Sequence, residues 1–509
     1  MQSRNFPNIE GSFIFHLTLF LLKIQPMNRK EFMLKNGLAL GGLALFSAKA
    51  HALKMFLTED FVTKRPKPEN RTFNSEVIES LIREVKAAMK DKELAWMFEN
   101  CYPNTLDTTV DYELIDGKPD TFIITGDIDA MWLRDSTAQV WPYMPLINKS
   151  EALKNLIKGL VNRQVKCVLK DPYANAFYKD LEKESDWKSD QPSPIPGVHE
   201  RKWEVDSLCY VVRLSANYYR ITGDASVFDT DWDNAMRLIV STFRTEQRKK
   251  GASPYTFVRR TTSMIDAPVF QGTGRPMKPV GLIASMFRPS DDATLFPFLI
   301  PSNIFAKISL QQLAGIYEKV IRDNAFAGEC AAFSEELDNA IKRYAVSSHL
   351  DFGEIYAYEV DGFGNKLFMD DANVPSLMSL SYLGAHTTDD ALYSNTRKFL
   401  LSNANPYFLT GKSAEGQASP HTGKEKIWPM GIILRAMTSH DKAEITHCLR
   451  MLKHTHAGTG FMHEAFHKDK PDDFNRAWFA WANTLFGELI IKIFHEHPDI
   501  LTLPLNDEG

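Results

Sequence analysis

Apolar residues recur at helical spacing along most of the chain. Within 74–99, Val77, Leu81, Ile82, Val85 and Met89 mark one face behind an Asn/Ser start, the signature of an amphipathic helix. The same period predicts helices near 129–147, 150–169, 203–222, 228–249, 303–324, 328–347, 373–384, 389–402, 426–438, 440–454 and 476–494. The segments 171–199, 266–302, 351–372 and 405–429 break the pattern and are rich in Gly, Pro, Trp and acidic residues. Polar, aromatic loops of that length build a site when they converge on one end of a scaffold. No repeat of fixed period supports a solenoid, and no Ser/Gly-rich linker or charge block divides the chain. An all-α protein with one large domain over 53–509 is therefore expected, built either as a closed ring of helical hairpins or as an irregular bundle.

The first 52 residues read differently. From Met27, Asn28-Arg29-Lys30-Glu31-Phe32 leads into the apolar stretch Gly37 to Phe46 and then Ala48-Lys49-Ala50-His51-Ala52. A basic start, a short apolar segment and a small-x-small site make an export signal, of twin-arginine-like or general secretory type. Translation is expected to start at Met27, and the protein to be exported, to the periplasm. Phe13 to Leu22 is an apolar run shorter than the ~17 residues a membrane span needs, so no stable span is expected.

Composition narrows the function. The 509 residues carry 59 Lys+Arg against 64 Asp+Glu, a net charge of −5, with none of the basic excess that neutralises a phosphate backbone. Nucleic acid is excluded as the expected partner. Five cysteines, Cys101, Cys167, Cys209, Cys330 and Cys448, are scattered without a C-x-x-C pair, which argues against a disulfide scaffold or a zinc ribbon.

Three segments concentrate chemistry. In Gly126-Asp127-Ile128-Asp129-Ala130-Met131-Trp132-Leu133-Arg134-Asp135-Ser136, carboxylates and a guanidinium suit vicinal hydroxyls while an indole suits the C–H face of a pyranose. For each residue alone, a helix cap or a structural ion pair is the competing account. In Arg288-Pro289-Ser290-Asp291-Asp292-Ala293, adjacent carboxylates perturb one another, and one raised toward neutral pH serves as a general acid; a helix N-cap is the alternative. The third segment, His463-Glu464-Ala465-Phe466-His467, matches the H-E-x-x-H zinc pattern. Gly458 and Gly460 upstream and Pro471 downstream favour a loop over the continuous helix that pattern requires. Glu464 is then a carboxylate suited to activate a water. Glu204 and Asp206 read equally as a site wall or as the acidic first turn of a helix.

These motifs, together with Trp478-Phe479-Ala480-Trp481-Ala482-Asn483, resemble glycoside hydrolase family 125 over about residues 55–492. The resemblance implies an (α/α)6 barrel of six helical hairpins in inner and outer rings. It also implies an inverting exo-α-1,6-mannosidase that needs no metal or other cofactor and acts on mannose-containing glycans. It puts the general acid in the Asp291-Asp292 doublet, with Asp291 favoured, and the general base at Glu464. Trp132, Arg134, Asp135 and His463 are implied near the terminal mannose, with Arg288, Asp129 and Asp206 as further substrate-binding candidates. Such chemistry needs two carboxyls roughly 6.5–9.5 Å apart across the sugar. An apolar wall at Met286 or Phe287 is expected to raise the acid, and His463 and His467, if charged, to hold Glu464 ionised. A zinc hydrolase using His463, Glu464 and His467, and a non-catalytic mannoside-binding protein, are the competing readings.

Overall fold

In the computed structural model, which describes residues 61–505, helices alternate between two layers. The outer pair α1 (Glu76–Ala88) and α2 (Lys92–Cys101) precedes inner α3 (Leu133–Val140), outer α4 (Glu151–Lys170), inner α5 (Val205–Thr222) and outer α6 (Thr230–Glu246). Inner α7 (Ile300–Ile316) and outer α8 (Asn324–Tyr344) follow, then a 3-10 turn at Met378–Leu380 in the inner position and outer α9 (Ala391–Leu400). Inner α10 (Pro429–Met437), outer α11 (Lys442–Thr455) and inner α12 (Ala480–Glu496) complete the set.

The inner layer closes on itself. Helix α3 packs on α5, α5 on α7, the 3-10 turn on α10, α10 on α12, and α12 back on α3. Tyr210 and Arg213 of α5 bond Val374 O and Leu383 O on either side of the 3-10 turn, at 3.1 and 3.3 Å. Six inner members backed by outer helices make an (α/α)6 barrel. From Phe61 onward the residues form one compact unit. The export-signal region, 1–52, lies outside the described residues. No described helix is long and apolar enough to cross a membrane.

Burial explains the layers. Outer helices bury a stripe, such as Ile78, Ile82 and Val85 of α1, whereas α12 buries an almost unbroken run from Ala480 to Gly487. Each large apolar side chain so buried contributes about 1.5–3 kcal/mol. The caps differ in the same way. Asp91, Ser150, Asp229, Asp323, Asp390 and Asp441 cap outer helices through their side chains. The inner helices α3, α5, α7, α10 and α12 begin instead at Trp132, Glu204, Leu299, Trp428 and Phe479, none of which makes a side-chain cap bond. Three of these five line the cavity described below.

The periodicity misleads at four places. The expected helix over 74–99 is two, because Asp91 accepts from Leu94 N and starts a new helix. The one expected near 129–147 shortens to α3, followed by a 3-10 stretch that contains Pro142 and Pro145. Helix α7 ends at Ile316 and runs into a wider π turn, Tyr317–Ile321. Over 373–384 only the 3-10 turn forms: Pro375 interrupts the segment, and buried Asp370 takes the N–H groups of Leu377 and Met378.

Candidate active site

The loops that precede the inner helices meet around a cavity of about 200 Å³, lined among others by Trp132, Arg134, Asp135, Asp291, His421, Trp428, Glu464, Arg476, Phe479 and Trp481. Gly126 fixes one wall. Its φ of +129° and the 2.5 Å that would separate a Cβ from Trp478 O admit no side chain, and this close approach lets Asp127 N reach Trp478 O.

Asp291 stands on a tight turn. Phe287 and Ala293 bridge as an antiparallel pair, Arg288 N donates to Asp292 O at 2.8 Å, and Asp291 N donates to Arg288 O at 2.9 Å. Pro289 follows Arg288, where its fixed φ suits the turn, and Asp291 takes the left-handed φ of +66°. The strained position is held from outside: Arg288 Nε donates to Glu359 at 2.6 Å and Ser290 Oγ to Asp371 at 2.8 Å. The doublet is thereby split. Asp291 faces the cavity, while Asp292, 2% exposed, turns to His421 Nδ1 at 3.0 Å.

Beneath Asp291 lies Arg134. Its guanidinium reaches Glu204 at 2.6 Å, Asp206 and Asp291 at 3.3 Å each, and Asp135 at 3.5 Å. Burial pushes Asp135 up to about 6 against the pull of Arg134, and it pushes Glu204 and Asp206 above the usual carboxylate range. Burial acts on Asp291 in the same direction, but the charges of Arg134 and Lys202 outweigh it and hold Asp291 below that range. Burial also disfavours charge on His421; the hydrogen bond and charge of Asp292 overcome this and raise it to about 9, so this wall of the cavity carries a cation at neutral pH.

Glu464 comes from the opposite end of the chain. Its N–H bonds Asn475 O at 3.3 Å at the mouth of a hairpin formed by Ala465–His467 and Lys470–Asn475. The next residue, Arg476, with φ of +44°, donates to Glu464 Oε1 at 3.3 Å and to Asp127 Oδ1 at 2.9 Å.

A family model described as metal-independent alpha-mannosidase (GH125) matches residues 91–491. The chain belongs to glycoside hydrolase family 125. It is 40% identical over 456 residues to the meiotically up-regulated gene 157 protein of Schizosaccharomyces pombe, covering 86% of this chain and 89% of that protein. A solved structure of a metal-independent alpha mannosidase from Streptococcus pneumoniae, in a non-productive substrate complex with α-1,6-mannobiose, is 40% identical. It superposes with a TM-score of 0.80, over 85% of this chain and 100% of that one. The protein is a metal-independent α-mannosidase.

Within this glycoside hydrolase, the expected residues separate into three groups. Trp132, Arg134, Asp135, Asp291 and Glu464 line one cavity. Arg288, Asp292 and Asp206 are buried behind it, as anchors of Glu359, His421 and Arg134. Asp129 and His463 lie off the cavity lining: the Asp129 side chain is 84% exposed, 3.6 Å from Lys183, and His463 is fully buried, stacked on Phe474 at 3.6 Å. The expected support of Glu464 by imidazolium is a correction. Burial lowers His463 to about 4, which leaves it neutral, and His467 pairs with Glu425. Met286 and Phe287 pack into the core, and Asp291 sits among cations instead of against an apolar wall. The zinc reading fails on geometry, since 463–467 enters a strand and not a helix. His421 and Arg476 were not singled out in the sequence. His421 lies in the loop over 405–429, and Arg476 just precedes the Trp478-Phe479-Ala480-Trp481 run, which are the available signals.

Proposed function

We propose that this chain is an inverting exo-α-1,6-mannosidase in which Asp291 protonates the glycosidic oxygen and Glu464 takes a proton from the attacking water. The observation that carries the reading is that Asp291 and Glu464, from two separate loops, open on one small cavity. Its volume of about 200 Å³ is below the ~300–1,000 Å³ of pockets for drug-sized ligands, which favours a single terminal sugar and so exo action. Trp428, Phe479 and Trp481 offer aromatic surface for the C–H face of a pyranose. Trp132 Nε1 and Thr125 Oγ1 are buried at the cavity with no hydrogen-bond partner among the described residues, and sugar hydroxyls would satisfy both. The choice of an α-1,6-linked mannoside rests on the mannobiose bound to the relative.

In the proposed reaction the C1–O bond to the leaving sugar breaks as Asp291 gives its proton to that oxygen. A water on the opposite ring face forms the new C1–O bond and yields its proton to Glu464, so a β-configured mannose is released first. The test is hydrolysis of α-1,6-mannobiose by residues 53–509, with proton NMR of the first-formed anomer. β-Mannose from the unsubstituted enzyme and none from Glu464→Gln is the expected result. α-Mannose as the first product, or unchanged turnover in Glu464→Gln, overturns the mechanism.

Export belongs to the same proposal, supported by the succession of basic, apolar and small residues from Met27 to Ala52. Recovery of a shortened chain from the periplasm of an expressing cell is expected; retention of residues 27–52 in a cytoplasmic product refutes it.

A further inference from the structure

Four carboxyl groups converge on one guanidinium. Arg134 touches Glu204, Asp206, Asp291 and Asp135, whose side chains are 0%, 0%, 26% and 8% exposed. Among the described residues, the other cations nearby already have carboxylate partners of their own. Lys202, which donates to Asp291 O at 2.8 Å, also serves Asp266 at 2.9 Å and Glu200 at 3.6 Å. Arg259 serves Asp190, Glu200 and Asp266, so these two cations already face three carboxylates. His421 is taken by Asp292, and Arg476 by Asp127 and Glu464. Like charges crowded away from water cannot all ionise, so the carboxyls around Arg134 retain at least one proton at neutral pH.

The geometry limits where that proton is useful. Glu204, fully buried at the start of α5, shares two donors with Asp291. Arg134 bonds both, and Asn175 Nδ2 lies 3.5 Å from Glu204 Oε1 and 3.3 Å from Asp291 Oδ1. Asp206 shares only Arg134 with Asp291 and accepts its other bond from Ser302 Oγ at 3.4 Å, and Asp135 likewise shares no donor with Asp291 beyond Arg134. We propose that Glu204 is the proton-positioning partner of Asp291: it keeps the retained proton beside the acid and shares it across their common donors, so that Asp291 is able to deliver it. The inference rests on the reading of Asp291 as the general acid and removes that reading's main difficulty.

The difficulty is that Asp291, flanked by Arg134 and Lys202, is by itself held ionised, whereas a general acid must carry its proton into the reaction. Burial drives Glu204 the other way, well above the usual range, and the two carboxyls meet at the same two donors, Arg134 and Asn175. Two groups so coupled take up and lose protons as a pair. In the step itself, the pair's proton leaves from Asp291 to the glycosidic oxygen and the C1–O bond breaks. Glu464 accepts the proton of the water that adds to C1, passes it to solvent, and the pair takes one back from solvent.

The test compares the unsubstituted enzyme, Glu204→Gln and Glu204→Asp on two substrates across pH. α-1,6-Mannobiose has a leaving group that needs a proton, and α-mannosyl fluoride has one that leaves with little help. Glutamine keeps a hydrogen-bonding side chain but cannot hold the pair's proton. Expected is a fall in kcat on mannobiose of ~10-fold or more at neutral pH, the low end of what acid assistance contributes being ~10². The alkaline limb of the profile moves to lower pH, KM changes little, and turnover of the fluoride is spared. Glu204→Asp, still ionisable, recovers part of the alkaline limb. Equal losses on both substrates, or an alkaline limb that does not move, overturn the inference. Should Glu204→Gln not fold, Glu204→Asp against the unsubstituted enzyme decides by the same two readouts. An unsubstituted enzyme that turns over neither substrate refutes the proposed function, a result distinct from a failure of the Glu204 variants alone.

Discussion

Arg476 and Glu464 sit across the mouth of one hairpin, and the guanidinium donates to Glu464 Oε1 at 3.3 Å. The same group holds Asp127 with Nε at 2.9 Å, so the orientation of Glu464 depends on the loop that also carries Trp132. Replacing Arg476 by Ala frees both carboxylates. Since misplacing a reacting group by about an ångström costs ~10²-fold in rate, Arg476→Ala is expected to lower kcat/KM by about that factor. The pair is partly open to solvent, so thermal stability should change little. Steady-state kinetics with a melting curve separates the two; a large fall in Tm at unchanged kcat/KM contradicts the assignment.

Much of this was legible in the sequence, and the gaps have physical causes. The outer helices were legible because one face is wet and one dry, as in α1, whereas the cap at Asp91, which divides 74–99 into two helices, does not interrupt the apolar period and stayed hidden. The fourth inner member stayed hidden too, because an apolar period cannot show that Asp370 takes backbone donors away from a helix. Asp291 and Glu464 stood within long motifs. Arg476 and His421 also reach Asp127 and Asp292, partners far off in sequence that no local pattern reveals. His463 misled in the opposite sense: its motif neighbours Glu464, but stacking on Phe474 takes it into the core.

The position of Gly126 is fixed by backbone and not by preference. Any Cβ there would lie 2.5 Å from Trp478 O on a residue with φ of +129°. Gly126→Ala therefore has to open the bridge between Gly126 and Phe479 and shift Phe479 on the cavity lining. Such a left-handed strain costs of the order of 1–3 kcal/mol. A lower Tm together with reduced kcat/KM is expected; a variant that keeps the stability and activity of the unsubstituted enzyme disproves the close approach.

The pair of His421 and Asp292 predicts a pH dependence with a definite sign. In the folded protein His421 is raised to about 9 by Asp292, whereas in the unfolded chain it returns to about 6.5. The folded state binds the extra proton between those values. The stabilisation is fully present below pH ~6.5 and is lost as pH rises through about 9. Tm should fall over that interval in the unsubstituted enzyme, and the fall should shift to lower pH in Asp292→Asn. If the profile of Asp292→Asn overlays that of the unsubstituted enzyme, the pairing is wrong. The same variant separates the doublet: Asp292→Asn should retain turnover of α-1,6-mannobiose that Asp291→Asn loses.

The H-E-x-x-H segment gives the last prediction. Its two histidines are built for different work: His463 is buried, neutral and stacked on Phe474, and His467, on the strand beyond, pairs with Glu425. Neither bonds Glu464, whose partner is Arg476. Removing a buried ring leaves a cavity, and large-to-small changes of this kind cost ~2–5 kcal/mol, so His463→Ala should melt at clearly lower temperature. His467→Ala loses a half-open pair, worth about 0–1 kcal/mol, and one bond from Asp469 N at the hairpin turn, so it should lose far less Tm than His463→Ala and keep its kcat/KM. Exhaustive dialysis against EDTA should leave the rate of the unsubstituted enzyme unchanged. A rate that falls with EDTA and returns with Zn²⁺, together with equal losses in His463→Ala and His467→Ala, would show the two imidazoles acting as one metal site and would overturn the hairpin geometry.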